Sequence, residues 1–376
     1  MRTLFKPRDR ASTKATKGGL VNNPFVLPTI ITALKLVAAF VIIASNVKLF
    51  GGGCDSNHYH ACALSRTDRA YNHWSILLRK LNSMGLYNRL GITIFLIIAA
   101  SIIIPYLVAR LSAVRDSSKP EKAFWMAFTA TAAYPTLFFM SLDIYRDVPM
   151  VLLFCLALLC IKRINNGDNR ASVIQKTKFS ALFFALVGML YLLRPYLGLA
   201  LLAAYFISPF FSFSKQPLAL WIAVFLVVVL PLGHQFGIFE RLLRYRALFR
   251  DGAQGGANLG IVFSDDAWLF PIIFVKSLLM QLPGFFFPNK ASVILFILEG
   301  IPFLWGVVYL VKNRRFTDKF VDFMAVFFVI YNTVWIIGND NLGTAARLRI
   351  FGYIAVLISC VIVYRKHELS TYHGSE

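Results

Sequence analysis

The sequence predicts an all-α polytopic membrane protein of about ten transmembrane helices, with amphipathic helices in two large outer loops. Three observations carry that expectation. Of the 376 residues, 58% are hydrophobic and only 15% charged, whereas soluble domains are nearer half apolar and one quarter charged. The apolar residues gather in blocks close to the ~20 needed to cross a bilayer. The charges gather between the blocks. A soluble enzyme, a disordered chain and a secreted disulfide scaffold are thereby excluded. Thirty-nine Lys and Arg against 18 Asp and Glu give a net charge of +21, but blocks of this length direct that excess to membrane lipids. No nucleic-acid partner is expected.

Residues 1–24 are polar and basic and read as a cytoplasmic N-terminus ahead of an uncleaved anchor. Apolar segments follow at about 25–50, 91–109, 124–142, 148–161, 179–193, 196–211, 218–236, 292–311, 320–338 and 350–364. They make one transmembrane domain over 25–365, with outer loops at 51–90 and 237–291 and a cytoplasmic tail at 366–376. The further apolar block at 269–288 is interrupted by Lys276, Pro283 and Pro288. It reads as re-entrant or interfacial, because prolines are tolerated at membrane depth where protein or a water cavity covers the backbone.

Basic residues favour cytoplasmic loops. The tight clusters Arg110 to Lys122, Lys162 to Lys178 and Lys312 to Lys319 all fall on the N-terminal side of this count. Both chain ends are therefore expected inside. In the first outer loop, Ala70 to Leu81 sets Tyr71, Trp74, Leu77, Leu78 and Leu81 at helical spacing. In the second, Phe239 to Phe249 opposes Phe239, Leu242, Leu243, Leu248 and Phe249 to Glu240, Arg241, Arg244 and Arg246. Such helices lie along a membrane surface or pack on the rest of the protein. Cys54 and Cys62 in the first loop form a disulfide or stay free thiols, while Cys155, Cys160 and Cys360 read as core residues.

No Walker A motif, Gly-rich dinucleotide turn or H-E-x-x-H is present, so a motor domain or cytosolic nucleotide-binding domain is excluded. Ionisable residues beside apolar spans are costly and usually face a cavity. Here Asp55 follows the first span, and Asp143, Arg146 and Asp147 fill the turn before the fourth. Arg194 precedes Pro195 and Tyr196 in the next outward turn, and Asp340, Arg347 and Arg349 precede the last span. Four distant turns thus deliver carboxylates and arginines to one face. Arginine forks suit phosphate oxygens, and carboxylates supply a general base or hold a divalent metal. The alternative is interhelical ion pairs with arginines touching lipid phosphates. Lys35 and Glu299, isolated within spans, fit neither picture; Lys35 would snorkel.

The run Cys54-Asp55-Ser56-Asn57-His58-Tyr59-His60-Ala61 straight after the first span resembles the first outer loop of the GT-C superfamily of membrane glycosyltransferases. That superfamily includes relatives of the protein O-mannosyltransferases and the lipid A aminoarabinose transferases. The turns from Tyr134-Pro135 to Arg146-Asp147, at Arg194-Pro195-Tyr196 and from Gly343 to Arg349 are also similar to bacterial members. The chain departs from many members in lacking a double-carboxylate Asp-Glu in the first loop and a soluble C-terminal domain. The resemblance implies a GT-C-like fold and a polyprenyl-phosphate or polyprenyl-diphosphate sugar donor. It also implies a glycan or lipid-linked glycan acceptor, in surface-polysaccharide assembly at a bacterial inner membrane. Asp55 would be the catalytic base, with Asp147 and Asp143 as further catalytic carboxylates. Arg146, Arg194, Arg347 and Arg349 would hold the donor phosphate, and Tyr59 and His60 would line the sugar site. Asp55, His58 and His60 have a spacing that suits a metal ion, or simply face water.

Two other functions are weighed. O-antigen and capsule polymerases share this size and large outer loops, and some carry Arg-x10-Gly, a spacing met by Arg241 to Gly252 and Arg244 to Gly255. That reading makes Arg241 and Arg244 acceptor-binding residues. A flippase for lipid-linked oligosaccharide is the non-enzyme reading, but transporters place charges at mid-membrane and repeat their halves, and no repeat is visible here.

Overall fold

The computed structural model describes residues 24–45, 54–67, 70, 72–114, 120–165, 173–252 and 257–373. The protein is 80% helical with no strand among the described residues. The helices are α1 (Val26–Ala44), α2 (Cys54–Ala63), α3 (His73–Ser83), α4 (Arg89–Ser112), α5 (Pro120–Ala132) and α6 (Pro135–Phe139). There follow α7 (Asp147–Asn165), α8 (Val173–Leu193), α9 (Pro195–Ile207), α10 (Leu218–Gln235) and α11 (Glu240–Gly252). The last four are α12 (Phe270–Gln281), α13 (Lys290–Lys312), α14 (Lys319–Gly338) and α15 (Leu342–His373). Seven of these, α1, α4, α8, α10, α13, α14 and α15, are long and apolar enough to cross a membrane. The protein is therefore an integral membrane protein.

Helix boundaries follow local chemistry. Pro135, Pro195 and Pro271 sit in the first turns of α6, α9 and α12, where a missing N–H costs nothing. Asn72 caps α3 through Trp74 and Ser75 N–H, and Asp318 caps α14 through Phe320 and Val321 N–H. The block expected to be re-entrant contains only the 12 residues of α12, about 18 Å of helix against a ~30 Å hydrocarbon core. Residues expected as a tail from 366 onward continue α15 as far as His373.

Burial sorts the helices. α15 is 89% buried over its apolar window and packs on α4, α5, α6, α7, α13 and α14; α1 and α10 are only 17% buried over theirs. Phe154, Phe327 and Phe351 meet at the centre. Helices α8 and α9 cross so closely that a Cβ on Gly198 would lie 2.7 Å from the Tyr191 backbone. Outside this bundle, α2 and α3 form a hairpin with its own apolar cluster of Tyr59, Ala63, Trp74, Leu78 and Ile144. Cys62 on α2 is a buried free thiol. Cys54 lies eight residues earlier on the same helix, about 12 Å along its axis, too far for a disulfide.

Opposite ends of the bundle differ in chemistry. At one end Lys162 caps α4 by donating to the carbonyls of Arg110, Leu111 and Ala113. There too Lys366 pairs with Asp318, and Lys122 with Glu368. The other end gathers the starts of α7, α9 and α15.

Candidate functional site

At that second end, three helix starts converge under α2. Asp147 opens α7 and is fully buried. Arg347, in the second turn of α15, donates to its Oδ2 from Nε at 3.0 Å and Nη2 at 2.7 Å. The same guanidinium donates through Nη1 to Asp55 Oδ2 at 2.5 Å. Arg194, in the turn before α9, brings Nη2 to 3.5 Å from Asp147 Oδ1 and is 4% exposed. Asp55, Arg347, Asp147 and Arg194 thus form one chain of charge. Residues 292 apart in sequence are joined.

Arg146 donates through Nη1 to the Leu193 carbonyl at 2.9 Å, which brings it beside Arg194. Three guanidinium groups face two carboxylates here, an excess of one positive charge. Arg146 Nε and Arg194 Nε and Nη1 are buried without a hydrogen-bond partner. Unsatisfied buried donors are costly, so an arrangement that retains several beside excess positive charge is suited to an anion. Asp55 is the open member, with its side chain 48% exposed.

Aromatic rings wall the cluster. Tyr145 lies 5.5 Å from the Arg347 guanidinium and Tyr196 lies 5.7 Å from that of Arg194. Tyr331 stacks on Tyr196 and donates to the Leu348 carbonyl at 3.0 Å. Tyr59 is 3% exposed on α2. Burial pushes its hydroxyl above the usual range. His60 is hydrogen-bonded through Nδ1 to the Tyr87 hydroxyl at 2.7 Å. Burial first, then the charges of Arg89 and Arg66, hold its ring below the usual pKa.

Asp143 stands apart from the chain of charge. Arg89 grips it with Nε at 2.9 Å and Nη2 at 2.6 Å, and the Ser56 hydroxyl and the Ile144 N–H both donate to it. Burial by itself would raise its pKa; those hydrogen bonds bring the net below the usual carboxylate range. Sequence reasoning did not single out Arg89, whose position at the head of a span was its only signal.

Several expected site residues lie elsewhere. Arg349, two residues beyond Arg347 and so about 200° around the helix, points away and pairs with Glu299 at 2.9 Å. Glu299 in turn accepts from the N–H and hydroxyl of Thr136 at 2.7 and 2.6 Å. Both members are 2% exposed, and a π-helical turn at Phe296–Gly300 presents Glu299. Arg241 and Arg244 are exposed on α11, with Arg244 paired to Glu240. Gly255 of the Arg-x10-Gly spacing lies outside the described residues. Arg246 of α11, by contrast, is buried. It pairs with Asp340 and donates to the carbonyls of Ile261, Ile336, Ile337 and Asn339. Lys35 does not snorkel: its buried ammonium lies 5.2 Å from the Phe138 ring centre with no hydrogen-bond partner.

The metal reading of Asp55, His58 and His60 does not fit. Among the described residues no three His, Cys, Asp or Glu side chains come together as a ligand group. Asp55 and Asp147 moreover share one guanidinium, which occupies the space a cation would need.

No family model, curated protein or solved structure matches this chain.

Proposed function

We propose that the protein is an integral membrane glycosyltransferase whose donor is a sugar carried on polyprenyl phosphate. Its bundle is read as GT-C-like with about ten crossings. Both ends are read as cytoplasmic and the site as facing the outer side of a bacterial inner membrane, in the assembly or modification of surface polysaccharide. The observation that carries this reading is the pairing of a half-exposed carboxylate, Asp55, with a buried arginine set that holds unsatisfied donors.

In the reaction, an acceptor hydroxyl on a glycan or lipid-linked glycan attacks the anomeric carbon. Asp55 takes its proton as the new carbon–oxygen bond forms. The bond from that carbon to the phosphate oxygen breaks, and the lipid phosphate leaves with the electron pair. Arg347, Arg194 and Arg146 stabilise the charge that develops on it; in a site shielded from water such donors are worth more than at a surface. Asp147 keeps Arg194 and Arg347 apart and oriented. Tyr145 and Tyr196 supply ring faces for a sugar. No step calls for a metal ion, because the residues present do not form its ligand set.

Arg241 and Arg244, which the polymerase reading makes acceptor-binding, are exposed on α11, and the polymerase and the flippase stand as the alternative readings. Purified protein in nanodiscs, supplied with radiolabelled polyprenyl-phosphate sugars and candidate acceptors, should form labelled glycan. Asp55→Asn should reduce turnover at least about a hundredfold without changing the amount of folded protein. Normal turnover in that variant, or lipid-linked sugar moved across liposomes without any new glycosidic bond, would overturn the reading.

A further inference from the structure

The α2–α3 hairpin that carries Asp55 has little apolar hold on the bundle. Of its buried cluster, only Ile144 comes from outside the hairpin, with Tyr87, Ile92 and Leu193 partly buried against it. Polar contacts supply the rest: His60 meets Tyr87, His73 the Leu192 carbonyl and Asp55 the Arg347 guanidinium, while Ser56 and Asn57 both meet the Arg89–Asp143 pair. Asp143 receives both arms of the Arg89 fork and the hydroxyl of Ser56, which is fully buried and follows Asp55 directly. The same Arg89 Nη2 donates to Asn57 Oδ1 at 3.0 Å. Next to this, Trp74 of α3 donates its indole N–H to the Ile144 carbonyl at 2.8 Å. The bidentate guanidinium–carboxylate pair forms within the bundle and fixes angle as well as distance, so the two groups that Ser56 and Asn57 meet are held in place and give α2 two adjacent points of attachment.

We propose that Arg89 and Asp143 form a clamp that sets the orientation of α2 and so holds the Asp55 carboxylate at the arginine cluster. Both are positioning residues; neither touches reacting atoms. Only the consequence for turnover rests on the functional reading above. The docking itself is independent of it.

A cysteine at position 144 reports the docking. Ile144 precedes α7 and is fully buried against Tyr59, Ala63, Trp74 and Leu78 of the hairpin, whereas the neighbours of Cys62, Ser75 and Arg79, belong to the hairpin itself. With the five native cysteines replaced by Ala, modification of Ile144→Cys by a polar maleimide measures lifting of the hairpin from the bundle. Arg89→Met and Asp143→Asn should each accelerate labelling about tenfold or more, since a local opening of lower free energy exposes the thiol more often. The double variant should be no faster than the quicker single. Arg244→Met, on an exposed pair, is the control. Unchanged labelling in both single variants, or effects that multiply in the double, would overturn the clamp whether or not the protein transfers sugar. Under turnover, the same variants should lower kcat about 10- to 100-fold, the cost of a misplaced reacting group, with donor KM within about twofold. A raised KM at unchanged kcat would overturn the positioning role while leaving the glycosyltransferase reading intact.

Discussion

Asp147 is the residue on which the site balances. It is fully buried and compensates two arginines at once. Removing its charge leaves Arg194 uncompensated in a dry setting and Arg347 with Asp55 alone, a loss of about 3–5 kcal/mol for a broken buried pair. Asp147→Asn is therefore expected to lower the thermal unfolding temperature in detergent and to abolish turnover together. An unchanged unfolding temperature would show that water or lipid already screens the pair. The Arg349–Glu299 pair responds differently. Arg349→Met alone strands Glu299, and Glu299→Leu alone strands Arg349. The double variant should be more stable than either single one, because apolar side chains of similar volume fill such a site without desolvating a charge. Thermal unfolding of the three variants reads the coupling directly. Asp143 gives the acid dependence. Its folded pKa lies below the ordinary value, so the stability it lends is present above the unfolded pKa of about 4. That stability is lost only as pH falls through the lower, folded value. Protection of the Ile144→Cys thiol should accordingly be flat from neutral pH down to about pH 5 and fail only in stronger acid.

At the scale of elements, the turns matter more than the spans. Gly284, after α12, has φ +90°, and a Cβ there would lie 2.8 Å from Arg349 Nη1. Gly284→Ala should cost about 1–3 kcal/mol through backbone strain alone, read as a lowered unfolding temperature. The strap from 257 to 261 is tied to the α14–α15 turn. Leu259 N–H donates to the Asp340 carbonyl, and Gly260 and Ile261 N–H donate to its carboxylate. Arg246 locks the same carboxylate from α11. This explains an element misread from sequence. The amphipathic pattern over Phe239 to Phe249 correctly indicates a helix, but it places Arg246 among the solvent-facing charges. Tertiary structure buries that arginine against the carbonyl end of α14, where free C=O groups await donors. Helical period alone does not distinguish an arginine that faces water from one that finds carbonyls.

For the whole molecule, the end with the arginine cluster and the end with the lysine caps are chemically distinct. Cysteine placed at Asp265, beside α12, should be modified by an impermeant maleimide added outside intact cells. Cysteine at Arg315, in the basic turn before α14, should be modified only after permeabilisation. The reverse pattern would invert the orientation. Hydrophobic blocks and their punctuation by proline and charge were enough to mark a helical membrane protein, because lipid forces each spanning segment to satisfy its own backbone hydrogen bonds. The same logic flagged Asp55, Arg146, Asp147, Arg194 and Arg347 as charges that need a shared setting. It had no means of pairing them, since partners lie hundreds of residues apart and any turn charge can equally face water. Only the packing of α7, α9 and α15 beneath α2 decides that Arg347 meets Asp55 while Arg349 turns away to Glu299. A step of two residues along a helix reverses the direction of a side chain, and the neighbours on each side belong to the fold alone.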